Sequence, residues 1–194
     1  MKILVCMWYN KDIEIYANEF KKINEKYCKE QGYDFFYTNK LYTNKSPSFN
    51  KLYMLKELLN KNEYDYYLWI DADAHIHKMD SKIEHFIKND KDFIWSGDIT
   101  PNINCGVFII KNSDYSKLFL NLWCDTNKTT NPDWWEQGVL TKMWIDNDMD
   151  IREHSHCWRY GVLQHFQMKW DNFIYHMAGT SKNDRINYIK CLNL

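Results

Sequence analysis

Asp71 and Asp73, two carboxylates that close the apolar run Tyr66-Tyr67-Leu68-Trp69-Ile70, have the types and spacing to do chemistry in this 194-residue chain. Five apolar or aromatic residues bounded by polar sequence predict a short buried strand whose carboxyl end opens onto a site. Side chains alternate in an extended chain, so Asp71 and Asp73 project to the same side. Carboxylates held that close repel each other unless a cation lies between them. The pair therefore reads as the core of a divalent-metal site. The alternative is a polar turn that caps a strand, and the later segments have to separate the two.

The elements that must position this strand end are legible on either side of it. Ile3-Leu4-Val5-Cys6-Met7-Trp8 reads as a buried first strand. Ile13, Tyr16, Ala17, Phe20, Ile23 and Tyr27 recur at three- and four-residue steps, which predicts an amphipathic helix closed by Gly32. Asp34 to Tyr37 is a second strand. A polar loop through Pro47 precedes a helix whose inward face is Leu52, Leu55, Leu58 and Leu59, and the acid-tipped strand follows. Strand–helix–strand–helix–strand at this spacing predicts a parallel sheet with right-handed crossovers. Ligands of such sheets bind outside the carboxyl ends of strands, where Asp71, Asp73, Trp8, Tyr9 and Asn10 all fall.

Downstream, Ser81-Lys82-Ile83-Glu84 has the form of a capping box, and Phe93-Ile94-Trp95 is a strand ending at Ser96-Gly97-Asp98. Asn104-Cys105-Gly106 leads into a strand from Val107 to Ile110. Asn112 or Ser113 caps a helix to about Trp123, and Asp133 can cap the next, whose first turn is Trp134-Trp135-Glu136-Gln137. The pattern is irregular beyond Asn147. Phe173-Ile174-Tyr175 is a last strand before His176-Met177-Ala178-Gly179, and the tail from Ser181 is helical.

Composition narrows the partners. Net charge is −1 with acids and bases interspersed, so no basic stripe argues for nucleic acid. Aromatics reach 17%, with nine Trp and fourteen Tyr, enough to build a core and still stack on bases or sugar rings. The six cysteines lack Cys-x-x-Cys spacing and the density of a disulfide scaffold, which predicts free thiols in a reducing compartment. No stretch approaches the roughly 20 apolar residues of a membrane span, and the apolar N-terminus is too short for a signal sequence. The expectation is a soluble cytoplasmic protein of one domain, residues 1–194.

Several segments together resemble the GT-A nucleotide-sugar glycosyltransferases. The nearest family is that of the fungal Golgi galactosyl- and mannosyltransferases and plant xyloglucan xylosyltransferases (glycosyltransferase family 34), with similar enzymes in large algal viruses. The resembling segments are Phe49-Asn50-Lys51-Leu52, Trp69-Ile70-Asp71-Ala72-Asp73-Ala74, Ile103-Asn104-Cys105-Gly106-Val107-Phe108 with Lys111-Asn112, Trp135-Glu136-Gln137, and His176-Met177-Ala178-Gly179.

The resemblance implies a single α/β GT-A domain with a Rossmann-like, mainly parallel sheet flanked by helices. It implies metal-dependent transfer of a sugar from a nucleoside-diphosphate donor to a glycan or glycoprotein acceptor, with retention. The donor would be a UDP-sugar, with GDP-mannose the other family donor. Mn²⁺, or Mg²⁺, would be held by Asp71, Asp73 and His176, a donor set that suits Mn²⁺ better than Ca²⁺. Lys51, Ala72, Asn104, Gly106, Gly179 and Lys182 fall where the family contacts the donor, and Trp8, Tyr9 and Asn10 are placed near the base. Glu136 and Gln137 fall near the reacting carbon. Two departures stand out: Lys182 lies six residues after the histidine rather than five, and Ala72 stands where the family often has a hydroxyl.

Each of these residues has a plainer reading beside the functional one. His176 can be a core histidine, Asn104-Cys105-Gly106 a turn, and Asp133 with Glu136 an ordinary capping box. Trp134 and Trp135 can stack on an acceptor sugar or fill the core. His75-x-His77 and His154-x-His156-Cys157 lack the partners of a structural zinc site and read as surface polar residues. A haloacid-dehalogenase-like phosphatase also sets Asp-x-Asp after a strand, but expects Thr or Val where this chain has His75. A nucleotide-sugar-binding module without catalysis is the remaining alternative.

Overall fold

Strand β1 (Ile3–Trp8) is buried at every position, as a strand covered on both faces must be. The computed structural model describes residues 1–97, 103–125, 132–166 and 172–192. Helix α1 (Glu14–Gln31) follows and ends at Gly32, as its periodicity predicts. Then come β2 (Asp34–Thr38), α2 (Asn50–Lys61) and β3 (Tyr66–Ile70). β1 pairs in parallel with both β2 and β3, which is the crossover topology expected from the sequence.

After a turn the chain adds β4 (Ala74–Ile76), β5 (Phe93–Gly97), β6 (Ile103–Lys111), α3 (Asp114–Asp125) and α4 (Trp135–Asp146). It finishes with α5 (Ile151–His154), β7 (Ser155–Trp158), β8 (Gln164–His165), β9 (Ile174–His176) and α6 (Lys182–Leu192). The six-stranded sheet has the order β2-β1-β3-β6-β5-β7, and a small sheet has the order β4-β9-β8. β6 runs antiparallel to both of its neighbours; the other three pairings of the large sheet are parallel.

Strand alternation divides the core into two faces. Leu4, Cys6 and Trp8 of β1 and Tyr67 and Trp69 of β3 pack with the leucines of α2 and with Phe119, Trp123 and Leu140 of α3 and α4. Ile3 and Val5, with Tyr66, Leu68 and Ile70, face Tyr27 of α1 and the small sheet. Met7 and Tyr9 continue that second face into a cluster with α1 and α6. The antiparallel β6 sets its first residues beside the last residues of β3, with Ile70 opposite Val107. That register brings Asn104, Cys105 and Gly106 to the acidic strand end.

Several local expectations give way to tertiary packing. Asn104-Cys105-Gly106 lies inside β6 and is not a turn. Ser81-Lys82-Ile83-Glu84 forms no capping box: a single 3-10 turn (Ile83–Phe86) follows Lys82 without a side-chain cap, and Glu84 accepts from the Tyr33 hydroxyl. Ser113 is the residue that caps α3, accepting from the Ser116 amide at 3.1 Å. Asp98 lies outside the described residues.

His75 is not on the surface. It is buried between Phe20 and Tyr188, with Nε2 2.8 Å from the Tyr188 hydroxyl. The half-buried His154 pairs with Asp92 at 2.7 Å and stacks on Tyr115. All six cysteines are free, and among the described residues no helix is long and apolar enough to cross a membrane.

Candidate active site

The acids that follow β3 lie on a turn. The Ala74 amide donates to the Asp71 carbonyl at 3.0 Å, so the chain folds back into β4 within three residues. The carboxylates converge because of that turn, rather than because a continuing strand alternates them. Two backbone bonds hold it: Asp71 N–H donates to the Gly106 carbonyl at 2.8 Å, and Met177 N–H to the Asp73 carbonyl at 2.9 Å. The side chains stay partly open to solvent, 31% for Asp71 and 15% for Asp73.

Asp71 is aimed by its neighbours. Trp69 Nε1 donates to Asp71 Oδ1 at 2.7 Å and Lys51 Nζ at 3.2 Å, which leaves Oδ2 for a cation. Burial raises the Asp71 carboxyl above its ordinary value even though Lys51 and His176 pull it down. Lys51 comes from the first turn of α2 and is itself buried. Its ammonium has three donors, and three acceptors surround it: Asp71 Oδ1, the Cys105 carbonyl at 3.0 Å and Glu136 Oε1 at 2.8 Å. Burial alone would lower the Lys51 pKa; the two carboxylates outweigh it and raise it. Lys51 thus positions the two acids.

Glu136, in the first turn of α4, points inward to that ammonium, and its Oε2 is buried with no hydrogen-bond partner among the described residues. The helix begins at Trp135 after the N-cap Trp134, which makes no side-chain cap bond. Gln137 Oε1 accepts from the Cys105 amide at 3.2 Å, so the amide hydrogens on Nε2 are what it can offer a ligand.

His176 arrives from the small sheet, at the end of β9 and opposite Ala74. Its imidazole rests on Gly106: a Cβ there would lie 2.0 Å from Cε1, 2.7 Å from Nε2 and 2.8 Å from Nδ1. Only glycine leaves room for the ring. Nδ1 lies 2.8 Å from Gln164 Oε1, and Nε2 lies 3.3 Å from Asp73 Oδ1. One donor atom each from Asp71, Asp73 and His176 falls within 4.8 Å of the others. Two carboxylates and one imidazole at that separation form a group able to hold a divalent ion, so the residues present fit one.

Asp73 has a further partner that sequence reading misses. Arg185 of α6 donates from Nη2 to Asp73 Oδ2 at 2.5 Å and to the Met177 carbonyl at 3.1 Å. Burial would raise the Asp73 carboxyl, but the adjacent His176 and Arg185 bring it down to about 2. Lys182, the residue picked from sequence, is exposed and donates to the Asp12 carbonyl at 3.0 Å instead. One helical turn separates the two basic residues, and the docking of α6 on α1 decides which one reaches the acids.

Two adjoining cavities open on the acids and share Ser48, Lys51, Asp71 and Asp73. The larger, about 540 Å³, is lined by Asn104, Gly106, Trp134, Trp135, Glu136, Gln137, His176 and Gly179, among others. The smaller, about 210 Å³, has Trp8, Tyr16, Trp69 and Ala72 in its wall. Gly179 holds a left-handed φ of 72°, and a Cβ there would meet nothing within 4 Å, so backbone conformation selects this glycine. Trp134 and Trp135 are 37% and 56% exposed and are not core residues.

Tyr9 and Asn10 line neither cavity. Strand alternation turns Tyr9 to the face opposite Trp8, where it is buried, stacks on Tyr37 and donates to Asn18 at 2.5 Å. Asn10 caps the 3-10 turn that follows, accepting from the Asp12 amide at 3.2 Å. Gln164, like Arg185, escaped the sequence reading. It sits in the irregular stretch after Asn147 and joins the site through β8.

Over 121 residues the chain is 26% identical to galactomannan galactosyltransferase 1 of Cyamopsis tetragonoloba. That match takes in 57% of this chain but only 28% of the relative, so the chain spans less than a third of that protein's length. Among solved structures it resembles a glycosyltransferase involved in glycosylation of the major capsid of PBCV-1, with a TM-score of 0.80 at 17% identity, covering 98% of this chain and 100% of that one. It also resembles the galactosyltransferase LgtC, solved with donor and acceptor sugar analogs, with a TM-score of 0.54 at 10% identity over 97% and 95% of the two chains. At such identities what is shared is the fold, which is of GT-A type. Residues 24–138 match the family model described as "Protein of unknown function, DUF273". That span is more than half of the chain, and the chain belongs to the DUF273 family.

Proposed function

We propose that this protein transfers a sugar from a nucleoside-diphosphate sugar, a UDP-sugar foremost, to a hydroxyl of a glycan or glycoprotein acceptor. The observation that carries the reading is the convergence of Asp71, Asp73 and His176 where two cavities meet. A nucleotide sugar needs that layout, with a base on one side of its diphosphate and a sugar on the other. The likeness in fold to solved glycosyltransferases and in sequence to a galactosyltransferase supports it. The phosphatase alternative gives no role to His176 or to Glu136.

Asp71, Asp73 and His176 would hold Mn²⁺, or Mg²⁺, which when bound neutralises the diphosphate as it leaves. The rest of the work falls to the chain's own groups. Trp8 and Tyr16 offer aromatic faces to the base in the smaller cavity. Gln137 and Asn104 offer amides to the hydroxyls of the transferred sugar in the larger one, and Gly179 lets backbone approach the diphosphate. Arg185 stands in reserve beside Asp73 as a second cation.

Titrating UDP, GDP and ADP calorimetrically with and without Mn²⁺ tests the donor assignment. One nucleotide that binds best and only with Mn²⁺ supports the reading. Equal affinity for all three, or indifference to Mn²⁺, counts against it.

Glu136 distinguishes the stereochemical courses. An inverting enzyme needs a carboxylate base that takes the acceptor proton on the face opposite the leaving group. Glu136 Oε1 is taken up by the buried Lys51 ammonium 2.8 Å away, which turns this oxygen from an acceptor hydroxyl. Glu136→Gln is therefore expected to reduce transfer only partly, and the product to keep the donor's anomeric configuration. Proton NMR of the first-formed glycoside reads this, and an inverted anomer would defeat the assignment.

The exposed pair Trp134 and Trp135 at the mouth of the larger cavity is the acceptor platform in this reading. An aromatic contact of about 0.5–1.5 kcal/mol corresponds to roughly a 2- to 10-fold effect. Trp135→Ala is thus expected to raise the acceptor KM by about that factor with donor affinity unchanged. An unchanged acceptor KM would remove Trp135 from the platform.

A further inference from the structure

A chain of buried hydrogen bonds behind His176 permits only one assignment of its atoms. The Gly106 amide can only donate, so the Asn104 atom 2.9 Å from it is the carbonyl oxygen Oδ1. The same oxygen lies 3.3 Å from a terminal atom of Gln164, which must then be the donor Nε2. The other terminal atom of Gln164 is therefore Oε1, an acceptor, and it lies 2.8 Å from His176 Nδ1. Nδ1 must carry a proton. In the neutral ring Nε2 then holds a lone pair, and this nitrogen lies 3.3 Å from Asp73 Oδ1.

Without this chain the opposite tautomer would be preferred. The carboxylate of Asp73 is the stronger acceptor, so an unconstrained neutral imidazole would put its proton on Nε2 and donate to Asp73 Oδ1. That proton would occupy the position a cation needs. With Nδ1 protonated, an unprotonated nitrogen lies 3.3 Å from a carboxylate oxygen, an arrangement that a cation relieves.

We propose that Gln164, fixed by Asn104 and the Gly106 amide, is a positioning residue that sets the Nδ1–H tautomer of His176 and so makes Nε2 a ligand. It is fully buried in β8, paired in register with Ile174 of β9, two residues before the histidine it orients. Gly106 serves twice, since its missing Cβ seats the ring and its amide anchors the chain that orients it. The inference deepens the metal-dependent reading and rests on it for the consequence, but the tautomer can be measured without any metal.

The test compares wild type with Gln164→Met, which keeps length and removes the acceptor, and Gln164→Glu, which keeps an acceptor for Nδ1–H. Long-range proton–nitrogen NMR of the metal-free proteins, at a pH above the imidazole's ordinary range, reads the tautomer of His176. Wild type and Gln164→Glu are expected in the Nδ1–H form, and Gln164→Met in the Nε2–H form. Mn²⁺ titration is expected to show about a 10- to 100-fold loss for Gln164→Met, with a smaller loss for Gln164→Glu, which keeps the acceptor for Nδ1–H but gives up the donor to Asn104. Should Gln164→Met fail to fold, the wild-type and Gln164→Glu tautomers still decide the matter. An Nε2–H tautomer in wild type, or an unchanged Nδ1–H tautomer in Gln164→Met, would overturn the proposal. A wild-type Nδ1–H tautomer switched by Gln164→Met, with no Mn²⁺ binding in any variant, would uphold the positioning role and sink the metal reading instead.

Discussion

Asp73→Ala is expected to abolish Mn²⁺-assisted UDP binding while leaving the chain folded. Three side chains converge on the proposed ion, and this change removes the carboxylate that faces His176. It also strips Arg185 of its partner at 2.5 Å, leaving an unpaired guanidinium that repels a divalent cation. Disturbing the residues behind a metal ligand typically costs about 10- to 100-fold in affinity, and loss of a ligand should exceed that range. The fold should survive because the turn is held by backbone bonds to Gly106 and Met177 that the substitution keeps. Freed Arg185 can still attract a diphosphate without metal, so the decisive quantity is the gain in UDP affinity that Mn²⁺ confers. Calorimetry with and without Mn²⁺ reads it, and a gain equal to wild type would rule out the site.

Gly106→Ala is expected to cost both stability and metal affinity. Its Cβ would sit 2.0 Å from His176 Cε1, inside the ring's own volume. The imidazole cannot simply retreat, because Gln164 holds its other edge and β9 is paired to both β4 and β8. Overpacking of this kind costs about 1–3 kcal/mol, sometimes more, and here it also displaces a proposed ligand. Thermal unfolding should show a lowered midpoint, and Mn²⁺ affinity should fall at least as far as in His176→Ala. Adding His176→Ala to Gly106→Ala should recover most of the lost stability and none of the metal affinity. That non-additivity marks a shared cause. A Gly106→Ala protein with wild-type midpoint and wild-type Mn²⁺ affinity would show that the ring is seated otherwise.

What could be read from the sequence was what local pattern controls. The order β1-α1-β2-α2-β3 follows from hydrophobic periodicity alone, and with it the placement of Asp71 and Asp73 at a strand end. His176 and Gly106 were named separately, but that one is the seat of the other is a fact of tertiary packing, with β6 beside β3 and the end of β9 against Gly106. Local signals failed where a distant partner outbid them. Asp133 and Glu136 have the spacing of a capping box, yet Glu136 turns to Lys51, 85 positions earlier in the chain. Lys182 and Arg185 are both basic and one turn apart, and only the packing of α6 selects Arg185. Trp8 ends the first strand and Tyr9 follows it, and the alternation of neighbours sends one to a cavity and the other to the core. Gln164 left no mark, since its strand is two residues long in a stretch with no period.

The most direct measurement is release of nucleoside diphosphate from a panel of UDP- and GDP-sugars, followed chromatographically with Mn²⁺, with a chelator, and with the Asp73→Ala protein. The expected result is that one sugar nucleotide yields free nucleoside diphosphate with Mn²⁺, and that chelator or Asp73→Ala stops it. Release that persists in the chelator and in Asp73→Ala, or no release from any donor by a protein that instead hydrolyses phosphomonoesters, would contradict a metal-dependent sugar transfer at Asp71, Asp73 and His176.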